Sequence, residues 1–314
     1  MQGLVTKISG SSYQVLADSG ESLECFVKGN FRIKGIRSTN PLAVGDRVVI
    51  EQLKDGTNWI TDIFDRRNYI IRRSTNLSKR SHILAANIDQ ALLFVTINHP
   101  KTNIIFIDRF LATAEAYRIP ACLLFNKTDL LNDDEKEYMQ AMQALYQSLG
   151  YTTLAISALL LPEDNDMQQQ LSHLLRDKTT LLSGNSGVGK STLLNMLVGE
   201  ELTRTGNISH AHDKGMHTTT FSAMYRLPEI SDDTWLIDTP GIKGFGVLDM
   251  QREEVGHYFK EIFQESAHCR FSNCTHTNEP GCAVKQAVDE HRIALSRYES
   301  YLSVLDDADE QKYR

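Results

Sequence analysis

Asn126-Lys127-Thr128-Asp129 comes before Gly184-Asn185-Ser186-Gly187-Val188-Gly189-Lys190-Ser191 in this chain, and that order decides the fold. The second string has the spacing of a phosphate-binding loop. Its glycines let the backbone wrap a phosphate with amide hydrogens pointing inward. Lys190 suits the β- and γ-phosphates, and the Ser191 hydroxyl suits Mg²⁺. The first string ends the apolar run Ala121 to Phe125 and has the chemistry of a guanine-reading loop. The Asp129 carboxylate can accept from guanine N1–H and the 2-amino group together. Adenine does not offer that pair, so the wrong base leaves a buried charged acceptor unpaired. Ordinary GTPases place the phosphate loop first. Here the same parts run in rotated order, which predicts a circularly permuted P-loop GTPase domain.

The remaining parts of such a site follow. Asp238-Thr239-Pro240-Gly241 succeeds the short apolar strand Trp235-Leu236-Ile237. Its Asp238 carboxylate is expected on the Mg²⁺ side through water, and the Gly241 amide on the γ-phosphate. Ser157-Ala158 follows the strand Thr152 to Ile156 and fits the supporting guanine loop through the Ala158 amide. Asn126 would bridge loops and touch the base edge, and the Lys127 stem would cover the ring. Among Thr218-Thr219-Thr220, Thr219 is expected to close over Mg²⁺ and the γ-phosphate. The expected nucleotide contacts are therefore Asn126, Lys127, Asp129, Ser157, Ala158, Gly184, Asn185, Ser186, Gly187, Val188, Gly189, Lys190, Ser191, Thr192, Thr219, Asp238 and Gly241. Ser191, Thr219 and Asp238 form the magnesium set. Many GTPases place a water-orienting Gln directly after the DxxG string. Ile242 stands there and cannot hydrogen-bond water, so His217, beside the switch threonines, is the candidate catalytic residue.

Around this centre the pattern changes twice. Residues 1–72 read as short alternating strands with turn residues between them, which suits a small closed β-barrel of the OB type. Residues 73–87 read as a basic linker, and Arg66, Arg67, Arg72, Arg73, Lys79 and Arg80 around its start suit phosphate contacts or simple solvation. Residues 88–248 alternate strands and amphipathic helices, including Ile104 to Arg118 and Asp133 to Leu149, and predict a mostly parallel, doubly wound α/β sheet. Residues 249–314 read as helices flanking Cys269-x4-Cys274-x-His276-x5-Cys282. Three thiolates and one imidazole match the donor count of a closed tetrahedral site, so one structural Zn²⁺ is expected. The third domain is thus a helical zinc-binding domain.

Bulk properties agree with this division. The chain of 314 residues is 41% hydrophobic and carries a net charge of -7, enough for several cored domains. No run approaches the ~20 apolar residues of a membrane helix, and no basic-then-apolar leader is read at the start, so a cytoplasmic location is expected. An acidic total argues against a general nucleic-acid binder, but residues 1–82 hold 13 Lys and Arg against 8 Asp and Glu, so the front is basic. Five scattered cysteines do not suggest a disulfide framework.

Taken together, the chain resembles the circularly permuted GTPases of small-ribosomal-subunit biogenesis, the RsgA or YjeQ family, over nearly its whole length. The resemblance is carried by the front barrel, Ala85-Ala86-Asn87-Ile88-Asp89, Asp108-Arg109-Phe110-Leu111, the two nucleotide loops, His217-Thr218-Thr219-Thr220, Asp238 to Gly241 and the Cys-Cys-His-Cys cluster. It implies a late assembly factor that binds GTP and GDP, contacts the small subunit and its rRNA, hydrolyses GTP under ribosomal stimulation, and then leaves. It also implies that the family's switch histidine falls on His217. Met216 stands where the family often has a basic residue. A monomer without membrane contact is expected. The alternative is a nucleotide-gated RNA-binding assembly factor of the large subunit, which usually lacks this pairing of front barrel and terminal zinc cluster.

Overall fold

The computed structural model describes residues 1–27, 41–73, 81–199, 222–238 and 250–312. The first five strands are β1 (Gln2–Ser9), β2 (Ser12–Ala17), β3 (Ser22–Val27), β4 (Arg47–Gln52) and β5 (Asn58–Ile63). They pair in the order β1-β2-β3-β5-β4, and β1 also pairs with β4, so the sheet closes into a barrel. Alternate residues point inward and fill it: Val5, Val15, Cys25, Val48, Ile50 and Ile60 are fully or almost fully buried.

The end of the expected barrel segment, from residue 69 on, does not join it. Strand β6 (Tyr69–Arg73) pairs with β7 (Ser81–Ala86) in a separate two-stranded sheet. Half of the expected linker is thus a strand rather than a tether. Arg66 also departs from the phosphate-contact expectation. Its guanidinium donates twice to the buried Asp46 carboxylate, at 2.7 and 2.6 Å, and once to the Pro41 carbonyl. With 7% of its side chain exposed it is a structural ion pair, committed inside the barrel base.

The run Ala85 to Asp89 stitches barrel to nucleotide domain. The Ala86 N–H donates to the Val44 carbonyl, and Asn87 Nδ2 to the Gly45 carbonyl. Gly45 must be glycine: its φ is +87°, and a Cβ there would sit 2.1 Å from the Ala86 oxygen. On the other side, Asp89 accepts from Thr179 N–H.

The second sheet runs β10 (Thr152–Ala155), β9 (Ala121–Phe125), β8 (Gln90–Val95), β11 (Thr179–Ser183), β13 (Trp235–Asp238) and β12 (Ala223–Arg226). All neighbours are parallel except β12 against β13. One further pairing, Lys7 with Ala223, joins β1 to β12 and makes the barrel continuous with this sheet. Every residue of β8 and β9 is buried, as a sheet covered on both faces requires. Ala91, Leu93 and Val95 pack in a cluster with Ile107 and Phe110 of α1 (Ile104–Ala116) and Met142 of α2 (Asp133–Ser148). Leu92 and Phe94 point the other way, onto Leu171 and Leu175 of α3 (Asn165–Leu175) and Leu193 of α4 (Lys190–Val198).

Within the parallel strands the direction of winding reverses beside β8. The chain moves outward through β8, β9 and β10, then returns to β11 on the opposite side of β8. Loops at the carboxyl ends of β8 and β11 leave in different directions there. That divergence opens the crevice where doubly wound folds bind ligands.

Residues 250–312 add a 3-10 stretch (Arg252–Tyr258) and helices α5 (Lys260–Ser266), α6 (Ala283–Asp289) and α7 (Leu295–Lys312) around their own core of Val255, Phe259, Ile262, Val284 and Leu305. This module docks on α1. Arg297 of α7 donates to Asp108 of α1 at 2.7 Å and to Glu261 of α5 at 2.6 and 3.2 Å, and its guanidinium lies 4.8 Å from the Phe259 ring. Tyr146 of α2 adds a hydroxyl to Asp108 at 2.8 Å. All these groups are buried, so the network fixes how the module sits more than it adds net stability.

Candidate nucleotide site and metal centre

A cavity of about 410 Å³ opens at the switch point. Three loops line it: residues 126–130 after β9, 157–159 after β10, and 186–192 from the glycine-rich loop into α4. Asp129 and Lys190, 61 positions apart in the chain, face the same space. Its size suits a small ligand such as part of a nucleotide.

Asn126 is the tie between the loops. It is 3% exposed. Its Nδ2 donates to the Val188 carbonyl at 2.8 Å, and its Oδ1 accepts from the Ala158 N–H at 2.9 Å. One side chain therefore joins all three loops. The Ala158 N–H, expected to face a base, is committed to this tie. Gly189 is needed beside it: φ is +102°, and a Cβ would lie 2.2 Å from Asn126 Nδ2.

Asp129 is exposed and lines the cavity, with one carboxylate oxygen accepting from the Ser157 hydroxyl at 2.5 Å. Lys127 adopts φ +66°, a left-handed conformation uncommon outside glycine, and its ammonium donates to the His99 carbonyl at 2.5 Å. Leu130 and Leu159 line the same cavity while 50% and 66% exposed. Sequence reasoning missed both leucines, and it missed the His99 loop as well. Leucines directly after the base-reading Asp and the Ser-Ala pair were the available signal.

The glycine-rich loop leaves β11 through Gly184, whose φ of +143° would strain any other residue and where a Cβ would crowd the Phe94 carbonyl at 3.0 Å. Lys190 turns back over this loop and donates to the Gly184 and Asn185 carbonyls at 2.6 and 2.7 Å. Burial lowers its pKa, and the charge of Asp238 opposes that drop. Asp238 ends β13, in register with Leu182 of β11, so it lies near the loop but does not line the cavity. Ser191 and Thr192, in the first turn of α4, do line it, so the cavity lies at a helix amino terminus, where anions are favoured. His217, Thr219 and Gly241 lie outside the described residues.

The four zinc candidates converge as well. One donor atom from each of Cys269, Cys274, His276 and Cys282 lies within 4.8 Å of the others. His276 Nδ1 is 3.6 Å from Cys269 Sγ and 3.5 Å from Cys282 Sγ, and the two sulfurs are 4.0 Å apart. A tetrahedral zinc with bonds of about 2.0–2.3 Å sets its ligand atoms roughly 3.5–3.8 Å apart, so the residues fit. Burial pushes the Cys274 thiol up to about 12, raises Cys282 and lowers His276. A bound divalent cation reverses the thiol preference by taking the thiolate form. The loop is braced from outside: Tyr298 and Tyr301 donate their hydroxyls to the His276 and Thr275 carbonyls at 2.6 and 2.7 Å.

Comparison with known proteins agrees with this geometry. The model of the RsgA GTPase family matches residues 63–248, and that of the RsgA N-terminal domain matches residues 2–60. A small ribosomal subunit biogenesis GTPase RsgA of Phocaeicola vulgatus is 58% identical over 314 residues, covering all of this chain and 99% of that one. The protein of the same description from Porphyromonas gingivalis is 54% identical, with the same coverage. Among solved structures, YjeQ from Thermotoga maritima superposes with a TM-score of 0.75 at 30% identity, covering 98% of each chain. YloQ, described as a circularly permuted GTPase, superposes with a TM-score of 0.74 at 29% identity, covering all of this chain and 96% of its own. A rotated motif order, a barrel-headed permuted sheet and full-length identity of this size lead to one conclusion: the chain belongs to the RsgA GTPase family, and its fold is that of a circularly permuted GTPase.

Proposed function

We propose that this protein binds GTP across the switch-point cavity and hydrolyses it while docked on the small ribosomal subunit late in assembly, and that hydrolysis releases it. The observation that carries the reading is the convergence of Asp129 and Lys190 on one cavity, in a chain related end to end to small-subunit biogenesis GTPases. Asp129, exposed there, accepts from guanine N1–H and the 2-amino group while Ser157 keeps its carboxylate oriented. The Lys127 stem covers the ring. Amides of residues 184–189 and the α4 amino terminus cradle the phosphates. Lys190 exchanges its two carbonyl partners for the β- and γ-phosphates, whose negative charge offsets the burial of its ammonium.

The hard oxygen donors Ser191, in the cavity wall, and Asp238, close enough to act on Lys190, fit Mg²⁺, with Thr219 as the third member of the set. Magnesium supplies neutralisation of the phosphate charge. We assign His217 to orienting the attacking water, since Ile242 replaces the usual Gln. Gly241 contacts the γ-phosphate. Cys269, Cys274, His276 and Cys282 would hold one structural Zn²⁺, which would brace the terminal module. The basic front, residues 1–82, faces rRNA, with the protein acting as a cytoplasmic monomer. No helix among the described residues is long and apolar enough to cross a membrane.

Single-turnover GTP hydrolysis titrated with purified small or large subunits tests the proposal. Stimulation by the small subunit alone is expected. Stimulation by the large subunit alone, or by neither, contradicts it.

A further inference from the structure

The loop after β8 belongs to none of the nucleotide-binding strings, yet it lies against two residues of the cavity wall, Lys127 and Gly187. Two residues with left-handed backbones face each other there: His99, with φ +59°, and Lys127, with φ +66°. Neither is glycine, and such conformations persist where surrounding structure holds them and gather at binding sites. The bond from the Lys127 ammonium to the His99 carbonyl joins them.

The loop is itself held on every side. Thr96 and Thr102 close its base: Thr102 N–H donates to the Thr96 carbonyl, Thr96 N–H donates to Thr102 Oγ1, and the Thr96 hydroxyl donates to the Pro100 carbonyl. Pro100 lies against the phosphate loop, 3.6 Å from where a Cβ on Gly187 would be. At the tip, Asn98 works with both ends of its amide. Its Oδ1 accepts from the His99 N–H at 3.0 Å, and its Nδ2 donates to Glu135 Oε1 at 2.9 Å. Glu135 is anchored in turn, because its second oxygen accepts from Asn132 N–H in the capping box of α2. That helix begins just after the Thr128–Leu130 turn which carries Asp129.

We propose that Asn98 and Glu135 are positioning residues of the nucleotide site. They fix the His99 peptide, which anchors the Lys127 ammonium and so lays its methylene stem along the face of the base. An unanchored lysine samples many rotamers, and a ligand must then order it on binding. Anchoring removes that cost before the nucleotide arrives. The inference rests on the reading of Lys127 and Asp129 as base contacts.

The full-length protein and a fluorescent GDP analogue provide the test. Asn98→Ala is expected to weaken GDP binding by about fivefold to tenfold, the loss of one positioning hydrogen bond. On a Lys127→Met background, which keeps the stem and loses the anchor, Asn98→Ala is expected to change nothing further. Asn98→Asp alone sets a carboxylate against Glu135 and weakens binding. Combining it with Glu135→Gln exchanges donor and acceptor, keeps both the capping box and the His99 contact, and is expected to restore affinity. Parental affinity in Asn98→Ala, an equal loss on the Lys127→Met background, or no rescue by the exchanged pair each overturns the proposal. Asp129→Asn serves as the control on the underlying reading. An unchanged base preference there overturns that reading, whereas a changed preference with affinity independent of Asn98 overturns only the positioning role.

Discussion

Substituting Gly189 tests whether Asn126 is the tie that makes three loops into one site. A Cβ at Gly189 would stand 2.2 Å from Asn126 Nδ2, so Gly189→Ala expels that side chain. The expelled amide loses its bonds to the Val188 carbonyl and the Ala158 N–H, both on buried residues. Each unpaired buried partner costs about 1–1.5 kcal/mol, so about 2–3 kcal/mol in all. The φ of +102° adds about 1 kcal/mol of strain for alanine. Gly189→Ala should then cost about 3–4 kcal/mol of nucleotide affinity, because the ligand must rejoin loops that are no longer tied. Asn126→Ala alone should cost about 2–3 kcal/mol for the same two lost bonds. On that background Gly189→Ala meets no amide and should add only about 1 kcal/mol, roughly fivefold in Kd, against several-hundred-fold in the parent. Titration of a fluorescent GDP analogue into the four proteins reads the cycle. An equal fold-loss from Gly189→Ala with and without Asn126 would refute the tie.

Other consequences follow from the terminal module. Arg297→Met leaves Asp108 and Glu261 buried without their cation and should destabilise the protein by about 3–5 kcal/mol, read as an earlier urea midpoint. Glu279 is raised by burial but lowered more by the Thr275 and Thr277 donors, which hold it at about 2. Its folded pKa lies below the unfolded value, so its contribution is full above about pH 5 and fades as pH falls toward 2. The stability gap between the parent and Glu279→Gln, roughly 1 kcal/mol after solvent screening, should therefore narrow below about pH 5 and close only near pH 2 in urea melts. Cys282→Ser should cut bound zinc below one equivalent by metal analysis and lower the melting temperature, with guanine nucleotide binding retained because the cavity lies in another domain.

The parts that sequence reasoning reached are those whose chemistry is local. A glycine-rich loop, an Asn-Lys-x-Asp string and a Cys/His cluster each carry their spacing in a few residues, and the apolar runs at residues 91–95 and 121–125 announce a buried parallel sheet. What escaped depends on partners far along the chain. Arg66 looks like a phosphate ligand until Asp46, twenty residues earlier, folds over it. Asp108 gives no hint that its cation lies 189 residues away. The strand Ser81–Ala86 sits in a stretch whose charge masks its pairing with Tyr69–Arg73. The His99 loop carries no motif, because it contributes a backbone carbonyl rather than a side chain.

The central claim is that the rotated chain rebuilds one guanine-reading cavity, and base selectivity tests it most directly. Comparing dissociation constants of GDP and xanthosine diphosphate for the parent and Asp129→Asn, the account predicts that GDP binding weakens by about 100-fold or more while xanthosine diphosphate becomes the preferred ligand. An Asp129→Asn protein that still prefers GDP as strongly as the parent would contradict it.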